Sequence, residues 1–192
     1  MSGQAEIRTI TQAERAEFCA LRRYAFRTWS ADAPTDAEID WVVPDDTLGF
    51  FLQGRMVAST IIHRFQQSVR GVIKPMGGIA AVASYPEHRG QGHVARLLEH
   101  AYGRMRAQGR PVSMLHPFRE SFYERLGYVA AGAPLEIEVP TAALGHYLQR
   151  RPAAGWVEQR STPAEAREEF FALLRETAPR HNGFTVPERM PS

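Results

Sequence analysis

Little in this chain offers redox or metal chemistry: it has one cysteine, Cys19, one lysine, Lys74, and nowhere a run of about 18 uncharged apolar residues. A lone thiol closes no internal disulfide, and no His or acidic residues stand around Cys19 at ligand spacing, so no metal centre is expected. Cys19, beside Phe18 and Leu21, reads as a small core residue. Without a long apolar run, no membrane span is expected. The first ten residues include Glu6 and Arg8 and lack an apolar core with a small-residue cleavage site, which points to the cytosol. The shortage of lysine also removes a Walker A loop, because no Gly-x-x-x-x-Gly-Lys-Ser/Thr spelling exists.

What is present is a chain of 192 residues, 44% hydrophobic and 23% charged. That length allows one full domain and a remainder but not two large domains. Its 23 basic residues, 22 of them Arg, and 21 acidic residues leave a net charge of +2. The basic residues are scattered rather than gathered into a stripe, so anionic small molecules, not nucleic acids, are the expected partners.

Ala5 to Ile10 alternates as a strand, and Thr11-Gln12-Ala13-Glu14 spells a capping box opening a helix to about Arg27. The box recurs at Thr35-Asp36-Ala37-Glu38, ahead of Ile39, Trp41 and Val42, and at Thr162-Pro163-Ala164-Glu165, ahead of Phe170, Phe171, Leu173 and Leu174. Leu48 to Gln53 and Met56 to Arg64 are β-prone runs joined at Gly54-Arg55, as in a hairpin. Gly71 and Pro75-Met76-Gly77-Gly78 read as punctuation before Ile79 to Ser84, an apolar run suited to a strand covered on both faces. Val94, Leu97, Leu98, Ala101 and Met105 form one stripe of a helix from His93 to about Gln108. Val112 to His116, Leu135 to Val139 and Trp156 to Arg160 read as strands, and Glu120 to Leu126 as a short helix.

The stretch from Pro86 to Ala95 lies between an apolar strand and an amphipathic helix, where backbone N–H groups of a first helical turn lack internal partners and attract an anion. Gly90 and Gly92 let a phosphate approach the backbone, and Arg89 adds a charge-assisted contact. Gly90-Gln91-Gly92-His93-Val94-Ala95 also matches the G-x-G-x-x-A form of a dinucleotide fingerprint. That fingerprint needs an acid about 20 positions further on, and Arg110 to Leu115 contains none.

Arg89 and Gly92, and less closely Val94, together resemble the acyl-CoA-binding motif of the GNAT acetyltransferases, R/Q-x-x-G-x-G/A. Val94 in its last position, with Gly78-Ile79-Ala80-Ala81-Val82-Ala83-Ser84 before the loop and His116-Pro117-Phe118 and Phe122-Tyr123-Glu124-Arg125-Leu126-Gly127-Tyr128 after it, resembles the enhanced-intracellular-survival branch. The resemblance implies an α/β GNAT fold with a central mixed, mostly antiparallel sheet, splayed at the acyl-CoA site and flanked by helices. Residues 1–140 would form the acetyl-CoA-binding domain and 141–192 an incomplete extension resembling the start of a second such domain. Acetyl-CoA would be the acetyl donor, its pantetheine arm along Val82, Ala83 and Ser84, its pyrophosphate on Arg89, Gly90, Gln91, Gly92, His93, Val94 and Ala95, with Phe118 and Arg119 beside it. Tyr123 matches the tyrosine that serves such families as general acid. Phe26, Trp29, Asp32 and His116 fall where the acceptor pocket is walled, an aromatic face and a carboxylate suiting a cationic amine.

The implied reaction moves an acetyl group to a primary amine of a small cationic or peptide acceptor. Read without the resemblance, Tyr123 is a core-packing residue with a satisfied hydroxyl, His116 is structural, Phe26 is a core residue and Asp32 an exposed loop residue. Members of that branch are longer, and the terminal carboxylate of a third domain serves them as general base. Here either a water chain or a local carboxylate such as Glu120 or Asp32 takes that part, or the chain is a non-catalytic acetyl-CoA-binding module or a fragment of a multidomain acetyltransferase. The last 50 or so residues are too few for a core of their own. They are expected to pack on the first domain or on a second chain, as a homo-oligomer, covering Phe170, Phe171 and Leu174.

Overall fold

The computed structural model describes residues 5–26, 32–132, 136–145 and 160–188. These group into two compact units, one holding Met1–Phe118 and Leu174–Ser192 and the other Arg119–Leu173.

In the first unit the order is β1 (Ala5–Thr9), α1 (Arg15–Ala25), α2 (Asp36–Asp40), β2 (Thr47–Leu52), β3 (Arg55–Val69), β4 (Val72–Ser84), α3 (His93–Ala107), β5 (Val112–Met114) and, far along the chain, β6 (Thr185–Pro187). The strands form one sheet in the order β1-β2-β3-β4-β5, with β6 pairing β3. All neighbours are antiparallel except β4 and β5. The α/β class and the mixed, mostly antiparallel sheet agree with the sequence reading.

The expected capping boxes form. Glu14 accepts from the Thr11 N–H at 2.7 Å and Glu38 from the Thr35 N–H at 2.8 Å, so the entries to α1 and α2 are set by spelling alone. Phe18, Cys19 and Leu21 of α1 pack with Val42, Phe51, Met56, Ile61 and Ala83 on one face of the sheet. Cys19 donates its thiol to the Glu38 carbonyl at 3.2 Å, and burial pushes its pKa up, so it is the inert core residue expected. Leu97, Leu98, Ala101 and Met105, the stripe of α3, are buried. They cover the opposite face, where an added Cβ on Gly77 would fall 2.0 Å from the Met105 sulfur.

β3 runs on to Val69, and β4 starts at Val72 rather than Ile79. Pro75-Met76-Gly77-Gly78 is spelled like punctuation, but Pro75 lies before β5 begins to pair, on a stretch of edge where its missing N–H costs no ladder bond. Gly77 and Gly78 are packing glycines: Met105 and the Phe65 ring stand where their Cβ atoms would be. The turns themselves are two-residue pairs with positive φ, Gln53-Gly54 instead of Gly54-Arg55, and Arg70-Gly71.

β6 pairs Thr185, Val186 and Pro187 with Gln67, Gln66 and Phe65, beyond the part of β3 that β2 covers. Arg110 fastens it. Its two terminal nitrogens each donate to a Glu188 carboxylate oxygen at 2.8 Å, and Nη1 also reaches the carbonyls of Phe65 and Met76 at 3.4 and 3.3 Å.

The second unit holds α4 (Glu120–Glu124) and most of α5 (Arg167–Thr177), opened by the third box, with Glu165 accepting from the Thr162 N–H at 2.7 Å. Phe171 is buried, whereas Phe170 and Leu173 are 52% and 59% exposed in the single chain. Glu136–Val139 form no strand and Ile137 is 70% exposed, because among the described residues no partner pairs with them. Leu135 and Trp156–Gln159 lie outside the described residues.

The Arg110 side chain is 9% exposed, so Arg110→Ala leaves a shielded carboxylate and two carbonyls without their donor. The expected loss is about 3 kcal/mol, read as a lower urea midpoint.

Candidate functional site

Strand β4 decides where a ligand can enter the first unit. β3 pairs along its length, but β5 pairs only at Met76↔Val112, Gly77↔Ser113 and Gly78↔Met114. Among the described residues nothing pairs with the second edge of Ile79 to Ser84. The same stretch is bulged: Ser59 faces Ala83 while Ile61 faces Ala80, and Ala81 takes a φ of +50°. A bulge re-aims the backbone groups of an edge, and a left-handed alanine costs about 1 kcal/mol, a strain held by the packing around it.

The open edge leads into a loop shaped for an anion. After a 3-10 turn at Pro86–His88, Gln91 Nε2 donates to the Glu87 carbonyl at 3.0 Å, and Arg89 Nη2 lies 3.5 Å from the Ser84 carbonyl. Gly90 and Gly92 have φ of +72° and +76°, so the path requires glycine, and the space beside both is open. The first helical hydrogen bond of α3 runs from the Arg96 N–H to the Gly92 carbonyl at 3.1 Å. The N–H groups of His93, Val94 and Ala95 are therefore without partners inside the helix, and no acidic side chain lies in that first turn. An extended arm along the β4 edge and a pyrophosphate on this helix start fit the residues present. Among the described residues no cluster of metal-ligating side chains occurs.

His93 contributes its backbone to the loop and its side chain to the core. The ring is 9% exposed, 4.4 Å between centroids from Phe50, and among the described residues neither nitrogen has a hydrogen-bond partner. Burial, with His88 and Arg96 adding to it, pushes its pKa down.

Val82, Ala83, Ser84 and Arg89 to Ala95 thus form one continuous edge and loop. Phe26 caps the C-terminal end of α1 and is 51% exposed. Asp32 is exposed, its carbonyl accepting from Arg23 Nη1 at 2.9 Å, and Trp29 lies outside the described residues. His116 is exposed two residues past the end of β5, which stops at Met114 instead of reaching it, and Phe118 is 72% exposed.

In the second unit Arg119 is the N-cap of α4 and Glu120 is exposed. Tyr123 is 4% exposed and meets Phe122 and Tyr128 edge-on at 5.1 and 5.9 Å. Burial, with Tyr128 adding to it, pushes its hydroxyl up to about 12, so it is protonated at neutral pH.

One residue unremarked in the sequence stands beside the last β4–β5 pair, where the open edge begins. His63, half-buried on β3, stands opposite Gly78 in the register and shares its face of the sheet. Its only signal was an imidazole inside the apolar run Met56 to Arg64.

A family model described as Acetyltransferase (GNAT) domain matches residues 6–131. A conserved protein of unknown function from Enterococcus faecalis V583, a probable N-acyltransferase, is similar at 27% identity and a TM-score of 0.57, over 65% of this chain and 32% of that one. A GCN5-related N-acetyltransferase from Kribbella flavida gives 27% and 0.55, over 66% and 33%. Eis1 from Mycobacterium abscessus gives 20% and 0.56, over 65% and 31%, a likeness of fold alone. The described chain corresponds to about a third of the length of each of these structures. No curated protein matches.

Because the buried His93 ring has no partner for either nitrogen, His93→Phe is expected to hold or raise stability at neutral pH, by about 1 kcal/mol. The folded-state pKa of His93 lies below the unfolded value of about 6.5, so its neutral form favours folding above that pH and stability falls as the pH drops through the window beneath it. Urea titrations at neutral and acid pH should show this acid loss reduced in the variant, with the share due to His63, shifted in the same direction, remaining.

Proposed function

The chain belongs to the GNAT acetyltransferase family, and on that premise we propose that it moves the acetyl group of acetyl-CoA to a primary amine of a small cationic or peptide acceptor. The observation that carries this reading is the join between the unpaired edge of β4 and the glycine-bounded start of α3. Backbone groups of Val82 to Ser84 would hold the pantetheine arm, and the N–H groups of His93 to Ala95, with Arg89, the pyrophosphate. In this reading the thioester would lie between β4 and β5.

The reaction needs a neutral amine, and a proton or strong hydrogen bond for the departing thiolate, whose free thiol has a pKa of about 8.5. In this reading Tyr123 supplies it. A hydroxyl held at about 12 stays protonated and first acts as a donor to the sulfur as negative charge builds there. Full transfer is uphill in water, but the desolvation that raises a phenol raises a thiol as well, which narrows the gap.

Phe26, Trp29, Asp32 and His116 belong to the acceptor side of the proposal, and Phe118 and Arg119 to the donor side. Supporting a cationic acceptor are the exposed aromatic ring of Phe26 and the exposed Asp32. Membership of the enhanced-intracellular-survival branch rests on Val94, the Gly78 to Ser84 run, His116-Pro117-Phe118 and the Phe122 to Tyr128 run, and is part of the same proposal. So is the division into an acetyl-CoA-binding domain at 1–140 and an extension at 141–192.

Acetyl-CoA at about 100 times its Kd is expected to raise the melting temperature by about 5–10 °C. With a panel of primary amines, free CoA thiol should be released, and Tyr123→Phe should lower that rate by about 10²- to 10⁴-fold while keeping the thermal shift. A shift without release for any amine would identify an acetyl-CoA-binding module, and no shift at all would remove the acyl-CoA reading.

A further inference from the structure

Acetyl transfer requires that the attacking nitrogen lose a proton, and Glu120 and Asp32, the carboxylates considered for that part, are both exposed. His63 stands opposite Gly78 on β3, and Gly78, on its other edge, stands opposite Met114, the last pair before β4 and β5 part. A Cβ built on Gly78 would lie 3.6 Å from the His63 Cβ, so both positions point to one face of the sheet. Residue 78 is glycine, with the Phe65 ring filling the place of its Cβ, so His63 is one strand, a backbone spacing of about 4.8 Å, from the strand that borders the gap.

The face matters as much as the distance. Gly77, one residue away, points to Met105 of α3, so α3 with its anion seat covers the opposite face. His63 shares its own face with Ile61, which packs with Phe18 and Leu21 of α1. A donor anchored by α3 leaves that second face for the amine.

The ring is half-buried, 5.9 Å between centroids from Phe65, and among the described residues its nitrogens make no hydrogen bond or ion pair. Its lone pair is uncommitted. The neighbours on β4, Gly78 and Ala80, carry no charge. Asp46 is the charged group that acts on the ring, favouring the imidazolium, and its carboxylate is held by Arg64 Nε at 2.7 Å. Burial outweighs that pull and keeps the ring neutral at pH 7.

Resting on the acetyl-transfer reading, we infer that His63 is the proton acceptor of the reaction, taking the proton of the attacking amine through a water at the head of the gap between β4 and β5. The amine lone pair forms the N–C bond to the thioester carbonyl, and the tetrahedral intermediate collapses with the C–S pair leaving on sulfur. One N–H proton passes to the water as that water gives its own to the imidazole, and the thiolate receives one from Tyr123. Solvent then returns the imidazolium proton to the tyrosinate, so amine plus acetyl-CoA gives amide plus CoA thiol with no proton left over.

The test compares wild type, His63→Gln and His63→Ala for CoA-thiol release with the amine panel, across the titration range of imidazole, with the acetyl-CoA thermal shift as a control for folding and donor binding. Both variants are expected to keep the shift and the KM for acetyl-CoA while kcat falls about 10²- to 10⁴-fold. The limb of the wild-type pH profile below about 6.5 should disappear, and added imidazole should restore rate to His63→Ala but not to wild type. A purely structural role would show no such rescue. Variants that bind acetyl-CoA and turn over like wild type with an unchanged profile overturn the inference alone, as does a loss of rate that imidazole leaves untouched. A wild type that acetylates no amine overturns the acetyl-transfer reading and the inference with it.

Discussion

The first unit depends on one asymmetry: strand β4 is paired along one edge by β3 and on the other by only three residues of β5. A sheet normally leaves no interior edge unpaired, since backbone N–H and C=O groups shielded from water need partners. Here the long β3–β4 ladder holds the strand firmly enough that its other side can remain available. Gly77 and Gly78 let Met105 and Phe65 pack tightly just where the pairing with β5 ends, and the bulge at Ala81 turns the remaining stretch. The helix start at Gly92 then falls at the end of that edge, so a backbone-binding surface and an anion seat follow one another along the chain.

The charges around this arrangement follow the same logic. Arg110 is nearly enclosed, yet it is matched by a two-point carboxylate contact with Glu188, the geometry in which a shielded ion pair best offsets its own desolvation. His93 is equally enclosed and has no match, which makes it a local cost tolerated beside the loop that must carry two left-handed glycines. Tyr123, in the other unit, is a buried hydroxyl whose environment keeps it protonated.

Much of this was legible in the residues. Three Thr-x-x-Glu spellings each became a box, because the pattern needs only local backbone. The stripe of α3 was legible because it lies on one helical face, and the Arg89 to Ala95 loop because glycine at positive φ leaves a spelling. What failed was whatever depended on a distant partner. Pro75 and two glycines look like a turn until Met105 and Phe65 are seen to fill their places. Glu136 to Val139 alternates like a strand, but alternation is only an offer of pairing that no described segment takes up. β6 is three residues long, too short to signal itself, and His63 gains meaning only from standing opposite Gly78.

The short strand β6 bears on how the molecule comes into being. Its partners on β3 precede it by some 120 residues, with the whole second unit between them, so this contact closes the longest loop in the sheet and is the slowest kind to form. A ribosome adding about 5–20 residues per second finishes β5 several seconds before Thr185 is made. During that interval the far half of β3 is an edge strand with nothing on it, and Arg110 sits under it without its carboxylate. The edge at Phe65 to Gln67 therefore stays open to other strands until Thr185 to Pro187 are made and close it.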